Sequence, residues 1–362
     1  MPRVGIVGGF DVANFGDLMF PYLAEHELGS RLGDVELVRY GYRELAGGDW
    51  IYPVRSLGRL RDDVDELDLV LVGGGQIVRL DPGVAEGYLP EDPSLHHPTA
   101  FWMLPSLLAA AAGVPLAYNA PGVSDISDEW ARPLARAALE AADVLAVRDV
   151  DSAERVRAVW PDAEIAVVPD TAFGIRALVP HAPSEAQRAF LDACGVSPPY
   201  LVVQPTPDLM PFGDRLAPAL RRAADEGLAI LALPAGPVHR DGSAPPPPGV
   251  HVAVPREWPD PLLLSELVAR SEAVVAQSFH LTAVAAACGV PAHMPASWPG
   301  FKWAALEPLR DVHAWPREGT APIELRTGRG APAPDVEELA ARVSAHWDAV
   351  AGLVRAGARP RG

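Results

Sequence analysis

The side chains best suited to chemistry stand where apolar runs end. In "EAVVAQSFHLTAVAAACGVPA", residues 272–292, a short apolar run meets a polar tripeptide and then a small-residue helix, with His280 at the junction. With Ser278 as N-cap, its hydroxyl accepts a helix N–H and His280 falls in the first turn. The N–H groups and dipole of that turn form a seat for an anion. An imidazole there suits a general base or a hydrogen-bond donor. The plainer alternative is a surface histidine in a first turn. Arg148 closes a second apolar run, "VLAV", and Asp149 follows it. A guanidinium in that place can fork onto a carboxylate or phosphate. It can equally pair with Asp149 or Glu154 at the surface, which contributes little.

Other candidates are less specific. Gly73-Gly74-Gly75, followed by Gln76, ends the run "LVLV". Bare backbone there permits either a close ligand or a sharp turn. It is neither a GxGxxG fingerprint nor a P-loop. In "NFGDLM", Asn14 and Gly16 lead to Asp17 at the start of the first helix. Asp17 can complement the helix dipole, meet a substrate hydroxyl or act as a base. Asp170 in "VVPDTAF" follows a strand or caps a turn, and His239 and Arg240 follow another apolar run. The histidines lack metal spacing, His96-His97 reading as a loop, so no metal site is expected. No Gly-x-Ser-x-Gly elbow occurs. Among 30 Lys+Arg, only Lys302 is lysine. That is chance in an arginine-biased chain, or a place where arginine will not serve.

Alternating strands and helices must position these groups. The pattern predicts strands at Arg3–Gly8, Val35–Tyr40, Leu69–Val72, Pro115–Asn119, Val144–Val147 and Ile165–Val168. Helices fall between them at Phe15–Arg31, Phe101–Ala112, Trp130–Ala142 and Ser152–Val159. Near-continuous apolar strands separated by helices indicate a parallel sheet covered on both faces. After a polar, proline-containing stretch the alternation restarts. It gives strands at Tyr200–Gln204, Leu228–Leu233 and Val250–Val254, helices at Leu216–Glu226 and Pro261–Arg270, and a last helix at Val336–Val354. "AAAAGVPLAY" (109–118) and "VAAACGVPAHM" (284–294) echo one another. The fold expected is α/β, two doubly wound Rossmann-like domains facing a cleft. Residues 1–175 form the first, 176–199 a linker, 200–332 the second and 333–362 a helix and tail. Ligands of such sheets bind at the carboxyl ends of the strands.

The bulk numbers narrow the class. The chain has 362 residues, 49% hydrophobic and 21% charged, with a formal net charge of −17. Such acidity disfavours nucleic acid as a partner. A few cations in a cleft can still hold a small anion. Cys194 and Cys288 read as buried thiols in a reducing cytoplasm. The N-terminal apolar run is too short for a signal peptide, and the uncharged stretch from Pro98 to Ser124 is broken by Pro105, Gly113 and Pro115, so no transmembrane segment is expected.

Together, "N-x-G-D", "DLVLVGGG" (68–75), "VRDVDS" (147–152), "VPDTAF" (168–173), "SFHLTAVAAACGVPA" and the later lysine resemble the polysaccharide pyruvyl transferase family, over about residues 4 to 310. The resemblance implies a GT-B-like fold and a transferase. It would move the pyruvyl group of phosphoenolpyruvate onto sugar hydroxyls of a glycan or glycosylated metabolite, as a ketal. It implies His280 as general acid/base and Arg148 as a donor-binding residue. The resemblance implies phosphoenolpyruvate as co-substrate and no cofactor. The family usually has arginine two residues before that histidine, where this chain has Ser278. Lys302, Arg240, Arg176 or the helix start at Ser278–His280 would then supply the donor's contacts. Asn14, Gly74, Gly75 and Gln76 would meet the acceptor, with Asp17 as second catalytic group. The alternatives are a GT-B-like glycosyltransferase using a nucleotide sugar and a degenerate, non-catalytic glycan-binding relative. Homo-oligomerisation is left open.

Overall fold

Short aliphatic runs become strands and the segments between them pack over both sheet faces. In the computed structural model, the residues described are 1–48, 50–80, 99–237, 241–242, 244–247, 249–296 and 302–357. The chain divides into two compact units. Unit 1 comprises Met1–Ala13, Asp17–Thr171 and the chain from Ala341; unit 2 comprises Asn14–Gly16 and Ala172–Ala340.

Unit 1 holds strands β1 (Arg3–Val7), β2 (Glu36–Gly41), β3 (Arg55–Ser56), β4 (Leu69–Val72), β5 (Leu116–Tyr118), β6 (Val144–Val147) and β7 (Ala166–Val167). Their order is β3-β2-β1-β4-β5-β6-β7. Every neighbouring pair is parallel, with Val4 opposite both Leu37 and Leu69. The helices are α1 (Phe15–Leu32, whose first two residues fall in unit 2), α2 (Leu60–Asp63), α3 (Met103–Ala112), α4 (Arg132–Glu140) and α5 (Val150–Val159). All four residues of β4 are buried, as a strand covered on both faces requires. The strand order reverses between β1 and β4, so the ligand crevice expected of this topology lies past Val7 and Val72.

Unit 2 holds α6 (Glu185–Ala193), β8 (Tyr200–Val203), α7 (Gly213–Asp225), β9 (Ala229–Ala232), α8 (Pro261–Ala269), β10 (Val274–Val275), α9 (Phe279–Ala287), β11 (Ala292–Pro295) and β12 (Val312–Trp315). Its sheet runs β12-β11-β10-β8-β9, again parallel throughout. Here the order reverses between β8 and β10, which places Gln204 and Ala276–Ser278 at the switch point.

The sequence echo has a physical basis in a shared helix stop. Gly113 ends α3 with φ +63, and Gly289 follows α9 with φ +69. In each case the next valine N–H returns to the helix, Val114 to the Ala109 carbonyl and Val290 to the Ala285 carbonyl. This is a Schellman stop, which glycine enters without a Cβ penalty.

Two boundaries differ from expectation. Residues 176–199 are not open chain, because they carry α6. Ser184 caps it by accepting from Gln187 N at 3.0 Å, and Glu266 accepts from Ser184 N and Oγ at 2.8 and 2.6 Å. The polar composition that resembles a linker supplies caps and buried bonds. The C-terminal helix α10 (Pro334–Gly357) is divided, and from Ala341 it belongs to unit 1. Its buried Val343, Trp347, Val350 and Val354 fall at helical spacing, forming one apolar stripe. Of the strand expected at Val250–Val254, only an Ala253 bridge to Leu231 forms. Cys194 and Cys288 are free thiols, and burial pushes Cys288 up to about 12. Among the described residues, no helix is long and apolar enough to cross a membrane.

Candidate functional site

In unit 2 the site begins with the end of β8. Gln204 is the first residue beyond that strand, and its Oε1 accepts from Gln277 N at 2.8 Å and Ser278 N at 2.7 Å. Its Nε2 donates to Asp241 Oδ2 at 2.8 Å. The same oxygen accepts from Ala235 N at 2.7 Å and Gly236 N at 3.3 Å. The turn after β10 is thereby fixed, and α9 starts from it. Ser278 is the N-cap, with φ −65 and ψ 126, and its Oγ accepts from Leu281 N. An extended N-cap with an oxygen on a first-turn N–H is the geometry serine favours.

His280 follows in the first turn, buried to 7% exposure. Its ring stands edge to face with Phe279, centroids 5.3 Å apart. Gly16, which belongs to unit 2, packs against that ring. A Cβ on Gly16 would lie 1.8 Å from His280 Nδ1, so the approach requires bare backbone. The preceding residue, Phe15, donates its N–H to the Ala235 carbonyl at 2.7 Å. Trp303 Nε1 donates to the Gln277 carbonyl at 2.7 Å. Lys302 Nζ lies 4.9 Å from the Trp303 ring centroid and 5.9 Å from that of Phe279, within cation–π range. Unit 2 therefore brings Ser278, His280 and Lys302 together at one switch point, with Asn14 in the same unit. A helix start, an imidazole and an ammonium can hold an anion and move a proton.

In unit 1 the glycine run is shaped by packing. A Cβ on Gly74 would lie 2.5 Å from the Phe20 ring. Gly75 has φ +85, and a Cβ there would lie 2.7 Å from Asp17 Oδ1. A left-handed residue beside a carboxylate leaves room only for glycine. Asp17 itself is 8% exposed. Gln76 faces elsewhere: its Oε1 accepts from Arg148 Nη2 at 2.6 Å and its Nε2 donates to Ser124 Oγ at 3.1 Å. Arg148 also donates through Nε to Asp149 Oδ2 at 3.4 Å and pairs through Nη1 with Asp170 Oδ2 at 3.6 Å. The Arg148 and Asp170 side chains are 3% and 1% exposed. A Cβ on Gly122 would enter this cluster, 2.3 Å from both Arg148 Nη2 and Gln76 Oε1. Asp149 meanwhile caps α5 by accepting from Ser152 N.

The structure thus gathers Gln76, Arg148, Asp149 and Asp170 in unit 1, with Arg148 and Asp170 buried and Gln76 and Asp149 partly exposed. A guanidinium buried this deeply needs carboxylates beside it: Asp149 is its neighbour in sequence, whereas Asp170 is brought to it only by folding. Arg240 lies outside the described residues, as do His239 and His96-His97. Among the described residues, no group of three His, Cys, Asp or Glu side chains is placed to hold a metal.

Several residues that shape these clusters gave no sequence signal of their own. Gln204 reads only as the last residue of a strand, and the structure places it just beyond β8. Asp241 and Trp303 sit in connections with no recognisable motif, and Gly122 is one glycine among 32. Asp11 was also missed. It is buried, accepting from Tyr42 N, Arg43 N and Arg43 Nε. Burial pushes its carboxyl above the usual range, against the opposing pull of Arg43.

A family model described as polysaccharide pyruvyl transferase matches residues 14–294, well over half of the chain. No individually curated protein matches. Among solved structures, the chain is similar to a UDP-GlcNAc 2-epimerase from Methanocaldococcus jannaschii. The TM-score is 0.55 at 11% identity, covering 95% of this chain and 92% of that one. It is also similar to a UDP-GlcNAc 2-epimerase from Neisseria meningitidis, solved bound to UDP-GlcNAc. There the TM-score is 0.52 at 10% identity, covering 99% and 94%. At these identities the likeness concerns the fold, a GT-B-type pairing of Rossmann-like domains, and not the reaction.

Proposed function

The chain belongs to the polysaccharide pyruvyl transferase family, a family of transferases, and from that premise we propose that it moves the pyruvyl group of phosphoenolpyruvate onto two hydroxyls of a sugar-bearing acceptor. The observation that supports this reading is the unit 2 switch point, where α9 presents its capped N-terminus with His280 in the first turn and Lys302 Nζ lies over Trp303. Phosphoenolpyruvate carries a carboxylate and a phosphate. A helix N-terminus and an ammonium are the groups such a ligand calls for.

In the proposed reaction, C2 of the donor forms two bonds to acceptor oxygens and loses its bond to the phosphate oxygen. One hydroxyl proton ends on the methylene carbon, making it a methyl group, and the other leaves with phosphate. His280 carries protons between these atoms as general acid/base. Ser278 stands where the family usually has arginine. It gives α9 a cap in place of a second cation, so the helix start and Lys302 would carry the donor's charge. Asn14, Asp17 and the bare backbone of Gly74 and Gly75 are our candidates for acceptor hydroxyls. Arg148 we read as a pin inside unit 1, not as a grip on the donor.

Calorimetric titration with phosphoenolpyruvate, with uridine diphosphate as the comparison ligand, tests the donor. Binding of phosphoenolpyruvate alone is the expected result. Binding of the nucleotide alone would make the protein a nucleotide-sugar enzyme. With a panel of sugar acceptors, the wild type should release phosphate from phosphoenolpyruvate and His280→Ala should not. Unchanged release by that variant would remove His280 from the mechanism.

A further inference from the structure

We propose that Gln204 and Asp241 are positioning residues that set the place of His280 from two sides at once. The inference rests on reading the start of α9 as the donor site. Strands β10, β8 and β9 are neighbours in the sheet, and Gln204 follows the middle one. Its amide bridges the loops beyond all three. Oε1 takes the N–H groups of Gln277 and Ser278, which precede the first turn of α9. Nε2 reaches Asp241 Oδ2, which also holds the N–H groups of Ala235 and Gly236.

The second side runs through Ala235. Its carbonyl accepts the N–H of Phe15 at 2.7 Å, and the next residue, Gly16, lies against the His280 ring. The start of the histidine's own helix and the backbone it packs on are thus anchored to one amide–carboxylate pair. Gln204 is 5% exposed, and its role needs both ends of an amide. One atom must accept from two N–H groups while the other donates to a carboxylate. A carboxylate in its place would keep the acceptor and lose the donor. An aliphatic side chain would lose both and leave buried N–H groups without partners.

The test uses the full chain with Gln204→Leu and Gln204→Glu. The His280 ring signal is read by NMR and identified by its disappearance in His280→Asn. Gln204→Leu should move that signal and lower kcat on the order of 100-fold, as expected when a reacting group shifts by about an ångström, with little change in KM. In Gln204→Glu the new carboxyl faces Asp241, so the two share a proton more readily as pH falls. Its rate relative to wild type should therefore rise toward low pH, a trend that altered packing alone would not produce. If Gln204→Leu does not fold, Gln204→Glu, which retains both acceptor bonds, decides the matter through the same ring signal and pH trend. An unmoved His280 signal in a folded variant, or a Gln204→Glu ratio flat with pH, would overturn the proposal. Should the wild type prove inert toward phosphoenolpyruvate, the donor reading fails, while the ring signal still decides whether Gln204 positions His280.

Discussion

At the carboxyl ends of the seven-stranded sheet, polarity is built from full charges turned inward. Arg148 lies between Asp149 and Asp170 with the Gln76 amide on its remaining edge. At the equivalent end of the five-stranded sheet, a neutral amide, a serine cap and a helix start do the positioning, with the carboxylate of Asp241 accepting from N–H donors. The difference bears on function. A guanidinium already matched to carboxylates gives a ligand anion little additional attraction, whereas a helix start fixed by neutral groups keeps its dipole as the field an arriving anion meets. Unit 1's cluster should therefore serve stability and unit 2's should serve binding.

The most direct way to break that contrast is Arg148→Ala. Removing one partner of a buried ion pair leaves the other charge uncompensated and costs about 3–5 kcal/mol. Denaturant unfolding should show a loss of that size. Adding Asp170→Asn should recover part of it, because the stranded carboxylate is gone. A variant that unfolds like wild type yet no longer binds phosphoenolpyruvate would return Arg148 to the donor site and erase the distinction between the units.

In one respect the units should behave alike. Each holds a buried histidine, His346 in unit 1 and His293 in unit 2, and burial pushes both down from the ordinary 6.5 to about 4. The unfolded chain takes up these protons near 6.5 and the folded chain resists until about 4. Stability is thus full above the upper value and declines as pH falls through the window, by roughly 3 kcal/mol for each histidine. His346→Gln should flatten about half of this acid loss in a pH series of denaturant melts. An unchanged slope would mean that His346 is not protected from protons in the folded state.

The fold was legible because its strands are short aliphatic runs that parallel sheets bury on both faces, as in Leu69–Val72. The helix stops were legible at Gly113 and Gly289, where chemistry leaves few alternatives. The site was legible only in part. His280 and Ser278 could be placed because a polar residue at a strand–helix junction has few positions to take. The burial of Arg148 could not, since it depends on Gln76, Gly122 and Asp170, and only folding assembles those. Gln204 was hidden for the same reason: both its partners arrive from other loops.

Gly16→Ala sharpens the comparison on the unit 2 side. Helix propensity favours alanine over glycine by roughly 0.5–1 kcal/mol. Yet the new Cβ would stand 1.8 Å from His280 Nδ1, and the ring must move. A displacement of about an ångström predicts a kcat loss on the order of 100-fold, read as phosphate release from phosphoenolpyruvate. Stability should fall as well, and combining the change with His280→Ala should abolish that fall, because the obstructing ring is absent. Additive stability losses in the double variant would show that Gly16 does not act through His280.

Lys302 carries the smallest effect and the finest discrimination. If the helix start supplies most of the field at the donor site, one half-buried ammonium adds no more than a partly screened ion pair does, about 0.2–1 kcal/mol. Lys302→Met should then weaken phosphoenolpyruvate binding by only a few-fold in calorimetry. Lys302→Arg tests whether charge alone suffices. A planar guanidinium would lie flat on Trp303 and spread its charge over that ring, whereas the ammonium remains a compact charge that can turn toward a ligand. Arginine should therefore recover part of the loss but not all, which would account for the chain's one lysine on physical grounds. Loss of all binding in Lys302→Met would instead place the field in a side-chain charge, and unit 2 would then hold its ligand by the kind of full charge that unit 1 keeps for itself.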